Sequence, residues 1–265
     1  MDTHPQAAIE VVPIPLLHDN YAYLLVNPAR NEATVIDPSE GAPLQAILAA
    51  RGLRLTEIWC THHHVDHTGG VVALCAAYLG VEVVGSAHDL AAGRIPGQTR
   101  GVREGDTLSV GEATLRVLEV PGHTLGAVAY VGAGHAFTGD TLFLGGCGRL
   151  FEGTPAQLAG SLARLAALPD DTWLWVGHEY TAKNLAFARD VEPGNAHVTA
   201  RLAAVHARRD AGLPTVPGRV DEERATNPFL RAQAPEIVAF ARARGAASDD
   251  AVEVLAAVRR AKDRA

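Results

Sequence analysis

The chain has 265 residues, enough to bury a sizeable core and to carry one large domain with an appendage. Acidic residues outnumber basic ones, and the formal charge of -7 removes nucleic acid and anionic membrane surfaces from the expected partners. Cys60, Cys75 and Cys147 show neither pairing nor zinc-finger spacing, so a reducing cytoplasm is the expected location.

Residues 1–9 lack both a basic start and an apolar run, so no secretory signal is expected. Residues 9–15, 20–26 and 33–36 are short runs of Val, Ile, Tyr and Leu separated by Pro, Asn, Asp and Gly, the pattern of strands in a meander. Helical spacing over 43–50 stops at Gly52, and a strand over 55–60 then feeds a histidine-rich stretch. Residues 71–79 predict a buried helix closed by Gly80, followed by a strand over 81–84. This apolar stretch is interrupted by Gly80 and Glu82 and falls short of the roughly 20 residues that span a bilayer.

Strands are expected again at 107–109, 113–120, 127–131 and 136–138, with glycines between them. Leu158, Leu162 and Leu165 give 155–168 the period of a helix, and 172–176 reads as the last strand. Beyond Thr181 the chain turns rich in Ala and Arg, without strand-like alternation, and helices are expected at 182–190, 196–211 and 249–262. The expected organisation is therefore a first domain over 1–180 and a helical domain over 181–265, with no internal repeat of fixed period.

The chemistry centres on Thr61-His62-His63-His64-Val65-Asp66-His67-Thr68-Gly69-Gly70, where the spacing His-x-His-x-Asp-His is that of metal ligands. In an extended chain His62 and His64 point to one side and His63 to the other. Asp66 and His67 sit on a turn into a helix and can face a second point nearby. A histidine-rich surface loop is the plain alternative, but with 12 His in the chain this pattern arises by chance on the order of once in a thousand. Nitrogen and oxygen donors without Cys suit zinc, iron or manganese in a working site rather than a structural finger.

Further candidate ligands follow strand ends, each after a glycine: His123 in Pro121-Gly122-His123, Asp140 in Gly139-Asp140 and His178 in Gly177-His178. A lone Gly-His after a strand is more often a cap or a packed histidine; beside the histidine stretch the ligand reading prevails. The donors exceed what one ion needs. They divide into His62, His64 and His123 for one metal and Asp66, His67 and His178 for another, with Asp140 bridging. Two such ions about 3.5 Å apart would acidify a shared water toward a pKa of about 7, the condition for hydrolysis at neutral pH. Asp37, at the end of a strand and before Pro38, reads equally as a turn former or as an acceptor for a ligand imidazole. His63 is assigned to the surface or to support of the ligands, and His18, His88, His135, His197 and His206 are ordinary polar residues.

In order, Thr61 to Gly70, Pro121-Gly122-His123-Thr124, Thr138-Gly139-Asp140-Thr141-Leu142-Phe143 and Gly177-His178-Glu179-Tyr180-Thr181 resemble the metal motifs of the metallo-β-lactamase superfamily. More narrowly, Gly145 to Gly153, Val191-Glu192-Pro193-Gly194-Asn195, Asn227-Pro228-Phe229-Leu230-Arg231 and Val258 to Asp263 resemble the glyoxalase II, or hydroxyacylglutathione hydrolase, family over nearly the whole chain. The resemblance implies an α/β (α+β) fold, an αββα sandwich with a C-terminal helical substrate-binding domain. It implies two divalent metals, zinc first with iron or manganese acceptable, and Asp66 orienting a metal-bound hydroxide while it ligates.

Arg149, Phe151, Tyr180, Arg259 and Lys262 match the positions that hold glutathione. Phe151 stands where some members carry Tyr, which leaves packing without a hydroxyl, and Arg149 where others carry Lys, which keeps the charge but changes the geometry. Independently, Arg259, Arg260, Lys262 and Arg264 could hold the two carboxylates of glutathione, although cations at a helix C-terminus are common without a ligand.

The expected reaction is hydrolysis of S-(2-hydroxyacyl)glutathione, such as S-D-lactoylglutathione, to glutathione and D-lactate by a cytoplasmic monomer, the second step of methylglyoxal detoxification. Two rivals stand beside it: a mono-iron glutathione persulfide dioxygenase of the same superfamily, and a metal-binding protein without catalysis.

Overall fold

The computed structural model describes residues 9–265, so the expectation of no secretory signal at the start of the chain falls almost wholly outside the described residues. By compactness the chain forms two units. One runs up to Glu119 and includes Gly126–Gly139; the other is Val120–Leu125 with Asp140–Ala265.

In the first unit β1 (Glu10–Leu16), β2 (Asn20–Asn27) and β3 (Glu32–Ile36) are joined by tight turns and pair antiparallel. Helix α1 (Gly41–Ala50) then crosses over to β4 (Arg54–Trp59), which lies parallel to β3. The short α2 (Val65–Thr68) and α3 (Val71–Ala77) lead to β5 (Glu82–Ser86), and α4 (Ala87–Ala92) leads to β6 (Arg100–Val102), both parallel additions. Leu44 and Leu48 of α1 and Val71 and Leu74 of α3 are fully buried against Leu24, Val35 and Ile58 of the sheet. Burial of each such Leu is worth about 1.5–3 kcal/mol, which is why the helices cover that face.

The second layer is an antiparallel meander of β7 (Thr107–Val110), β8 (Ala113–Glu119), β9 (Val128–Gly132) and β10 (His135–Gly139). In β8 the buried residues Ala113, Leu115 and Val117 alternate with exposed Thr114 and Arg116, as a strand packed on one face requires. The layers meet through Tyr130, whose ring lies 5.2 Å from that of Trp59 and whose hydroxyl donates to the Cys60 carbonyl. The end of β4, from which the histidine stretch departs, is thereby held against the second layer.

The other unit begins with the small hairpin β11 (Leu142–Phe143) and β12 (Gly146–Cys147). Helix α5 (Pro155–Ala166) opens with a Thr154–Gln157 capping box and buries Leu158, Leu162 and Leu165. Next come β13 (Trp173–Val176), α6 (Thr181–Val191), α7 (Ala196–Asp210), β14 (Gly218–Arg219), α8 (Val220–Thr226), α9 (Pro235–Arg242) and α10 (Ala251–Lys262).

The region after Thr181 thus holds more than the three expected helices. Helix α8, with charges at Asp221, Glu222, Glu223 and Arg224, has too few apolar positions to show a period, and α9, at eight residues, is too short for its period to stand out. The strand-free expectation also fails at β14, which pairs with β13 over two residues. In the first unit, α4 and β6 went unexpected. The cap that starts α4 was readable, since Ser86 accepts from the Asp89 amide.

Candidate metal centre

The histidine stretch leaves β4 through Thr61, and Asp37 organises its first residues. Asp37 is buried at a left-handed backbone position, φ 51°, so it does form a turn. Its Oδ1 accepts from the Thr61 amide and its Oδ2 from the Thr61 hydroxyl, both at 2.7 Å, while His67 Nδ1 lies 3.0 Å from Oδ2. It also carries out the second reading: a proton on His67 Nδ1 bonds the carboxylate, so Nε2 is the nitrogen whose lone pair could take a metal. Because Thr61 gives its one proton to Asp37, His62 Nδ1, 3.1 Å away, must donate to the Thr61 oxygen. The His62 Nε2 lone pair then faces His64 Nδ1 at 3.1 Å.

Asp66 lies in α2, with its Oδ2 3.7 Å from His67 Nε2. Its placement depends on two residues not singled out by the motif. Buried Asn20, at the start of β2, donates through Nδ2 to the Asp66 carbonyl at 2.9 Å and to Oδ2 at 3.2 Å. The Ser39 hydroxyl donates to the same carbonyl at 2.5 Å. A buried Asn opening an apolar strand was the available signal for the first of these. Gly70 permits the close return of the chain, since a Cβ there would stand 2.6 Å from the Glu40 carbonyl carbon. His63 directs its Nδ1 to Asp89 at 3.5 Å, and its ring meets that of His64 edge-on at 4.9 Å.

In the other unit, Asp140 Oδ2 lies 3.5 Å from His123 Nε2 and 3.3 Å from His178 Nε2. One carboxylate oxygen between two imidazole nitrogens is the arrangement that a bridging ligand would take. His123 Nδ1 donates to the Arg149 carbonyl at 2.9 Å, so Nε2 is the nitrogen whose lone pair could take a metal. Gly148 is required here, because a Cβ would collide with the Asp140 carbonyl. Aromatic rings fix the imidazoles: Tyr180 stacks on His178 at 4.7 Å, Phe143 meets His178 edge-on at 5.8 Å, and Phe151 meets His123 edge-on at 5.2 Å.

Each unit thus gathers its own donors: His62, His64, Asp66 and His67 in the first, and His123, Asp140 and His178 in the second. Their coordinating nitrogens and carboxylate oxygens, with tautomers set by Thr61, Asp37 and the Arg149 carbonyl, fit zinc, iron or manganese.

The residues matched to glutathione binding also gather in the second unit. Buried Arg259 donates through Nη1 to the Cys147 carbonyl at 2.7 Å, and its Nη2 lies 3.1 Å from Asp263, the residue that ends α10. Arg149 is exposed and 3.6 Å from the same Asp263 oxygen. Lys262 Nζ donates to the Lys183 carbonyl at 3.2 Å and stands over the Phe187 ring. Burial, followed by the charges of Arg259 and Lys183, brings the Lys262 ammonium down to about 8, while burial raises the Cys147 thiol to about 11. Lys183 was not anticipated as part of this cationic cluster.

A two-layered α/β domain with strand-end His and Asp donors defines a metallohydrolase fold, and the sequence model of the metallo-beta-lactamase superfamily matches residues 17–178. The model of the hydroxyacylglutathione hydrolase C-terminus matches residues 179–265. The hydroxyacylglutathione hydrolase of Alkalilimnicola ehrlichii is 50% identical over 96% of this chain and 98% of its own length. That of Gloeobacter violaceus is 48% identical, covering 94% of this chain and 96% of its own. Among solved structures, ETHE1 from Myxococcus xanthus is similar with a TM-score of 0.65 and 27% identity, over 86% of each chain. The chain belongs to the hydroxyacylglutathione hydrolase family of this superfamily.

Proposed function

We propose that the protein hydrolyses S-(2-hydroxyacyl)glutathione thioesters, S-D-lactoylglutathione among them, to glutathione and a 2-hydroxy acid, as the second step of methylglyoxal detoxification. The observation that carries this reading is the cluster of Arg149, Arg259 and Lys262 in the same unit as Asp140, His123 and His178. Cations suited to two carboxylates occur alongside metal donors, and the family match runs through the residues that supply both.

The ligand set proposed is His62, His64, His123, Asp66, His67 and His178, with Asp140 shared. Two divalent ions, zinc or else iron or manganese, would supply an acidified water and a Lewis acid for the thioester carbonyl. Asp66, held by Asn20, orients the attacking water. Asp37 keeps the His67 proton on Nδ1, and the Arg149 carbonyl does the same for His123. Arg149, Arg259 and Lys262 take the glutathione carboxylates, with Tyr180 and Phe151 packing beside them. Water adds to the carbonyl, the carbon–sulfur bond breaks, and glutathione leaves as the thiolate. A thiol pKa of about 8.5 removes the need for a dedicated acid.

The functional division is placed near residue 180, where the matches to the two family models also part. The protein would act as a monomer in the cytoplasm, for which its free thiols at Cys60, Cys75 and Cys147 are suited. Among the described residues no helix is long and apolar enough to cross a membrane.

The rival persulfide dioxygenase is disfavoured by the match of residues 179–265 to the hydroxyacylglutathione hydrolase C-terminus. Purified protein of known metal content decides between them. Rapid thiol release from S-D-lactoylglutathione without oxygen uptake is expected; oxygen uptake with glutathione persulfide and no thioester cleavage would overturn the reading.

A further inference from the structure

Asp89 is a buried carboxylate that the proposed reaction does not use. It has no exposed surface, and neither carboxylate oxygen has a hydrogen-bond partner. The groups nearest in charge are His63 Nδ1 at 3.5 Å and Arg94 Nη1 at 3.8 Å, both on Oδ1. Backbone also closes on it: a Cβ at Gly126 would stand 2.6 Å from both oxygens. A buried carboxylate without a hydrogen bond on either oxygen is unfavourable for the fold, so its presence points to a role beyond packing. Its charge is felt at the end of β4, where burial first, and then Asp37 and Asp89, push the Cys60 thiol well above its ordinary range.

His63 is the residue between the two imidazoles whose ring nitrogens face one another, His62 and His64. Its ring meets that of His64 edge-on at 4.9 Å, so the contact with Asp89 fixes a ring against which His64 packs. We propose that Asp89 is a positioning residue for the metal, holding His63 so that its ring braces that of His64 and keeps His64 beside His62 before an ion binds. Residues that orient metal ligands typically change affinity by about 10- to 100-fold when replaced, and Asp89 acts at one remove through His63. This rests on the ligand set of the proposed function.

The test uses full-length protein stripped of metal, with zinc affinity measured by competition against a chromophoric chelator and thermal stability measured on the same metal-free samples. Asp89→Asn is expected to weaken zinc binding about tenfold or more while the metal-free melting temperature holds or rises, since an unfavourable buried charge has gone. His63→Gln, which leaves Asp89 in place, is expected to weaken zinc binding comparably, and the double variant no more than either single one. Affinities within twofold of wild type in both single variants would overturn the proposal. A lower metal-free melting temperature for Asp89→Asn, with His63→Gln binding zinc normally, would overturn it in favour of a purely structural role. Wild-type protein that binds no zinc would instead sink the ligand set itself.

Discussion

The two donor clusters are built by different means. His62, His64, Asp66 and His67 come from six consecutive residues and are held by hydrogen bonds with Asp37, Thr61, Asn20 and Ser39. His123, Asp140 and His178 come from three separated loops, and rings brace the two imidazoles: Phe151 at His123, Phe143 and Tyr180 at His178. A short-range motif can be fixed by a few directional partners, because the backbone already brings its ligands together. Ligands from distant strand ends need surfaces that define ring planes, and those same rings then border the proposed substrate site. The first cluster should therefore respond to partner loss mainly in metal affinity and turnover, and the second also in substrate affinity.

Removing a ligand breaks either cluster and sets the largest effect. His178→Ala is expected to lower bound metal by about one ion per chain and turnover by more than about a hundredfold, beyond what outer partners contribute. Elemental analysis and steady-state rates check it. Asp37→Ala is expected to weaken metal binding by about 10- to 100-fold, because His67 loses the acceptor that fixes its tautomer, as chelator competition would read.

Asn20→Ala sharpens the contrast. One hydrogen bond to a charged group is worth about 1.5–3 kcal/mol, so kcat should fall by about tenfold or more with KM unchanged, measured on metal-replete protein.

In the second unit, the Lys262 ammonium sits at about 8 because of burial and its cationic neighbours. It is charged below that pH and neutral above it, and an anionic ligand favours the charged form. KM for the thioester should therefore climb as pH rises through about 8, and Lys262→Met should show a raised KM without that climb. The smallest effect is expected for Phe151→Ala, a rise in KM of about two- to tenfold, in proportion to an aromatic contact of about 0.5–1.5 kcal/mol.

Much of this molecule was legible in its sequence because the informative signals are local. The His-x-His-x-Asp-His spacing, the glycines before His123, Asp140 and His178, and the strand periods of the first domain all lie within a few residues. The features that stayed hidden depend on distance along the chain. Asn20 reaches Asp66 across 46 residues and Arg259 reaches Cys147 across 112, and neither leaves a pattern in a short window. Helices α8 and α9 escaped for a different reason. They are seven and eight residues long, two turns each, too short for a repeating apolar face to be read in the sequence. Asp37 could be read two ways from its neighbours, and the fold uses it in both, as a turn at positive φ and as the acceptor for His67.

The most direct test of the account is titration of metal-free protein with zinc while D-lactate release from S-D-lactoylglutathione is followed. Release that rises to a plateau at about two equivalents per chain is the expected result. A plateau at one equivalent would contradict the paired site, and metal uptake without any release would contradict the substrate.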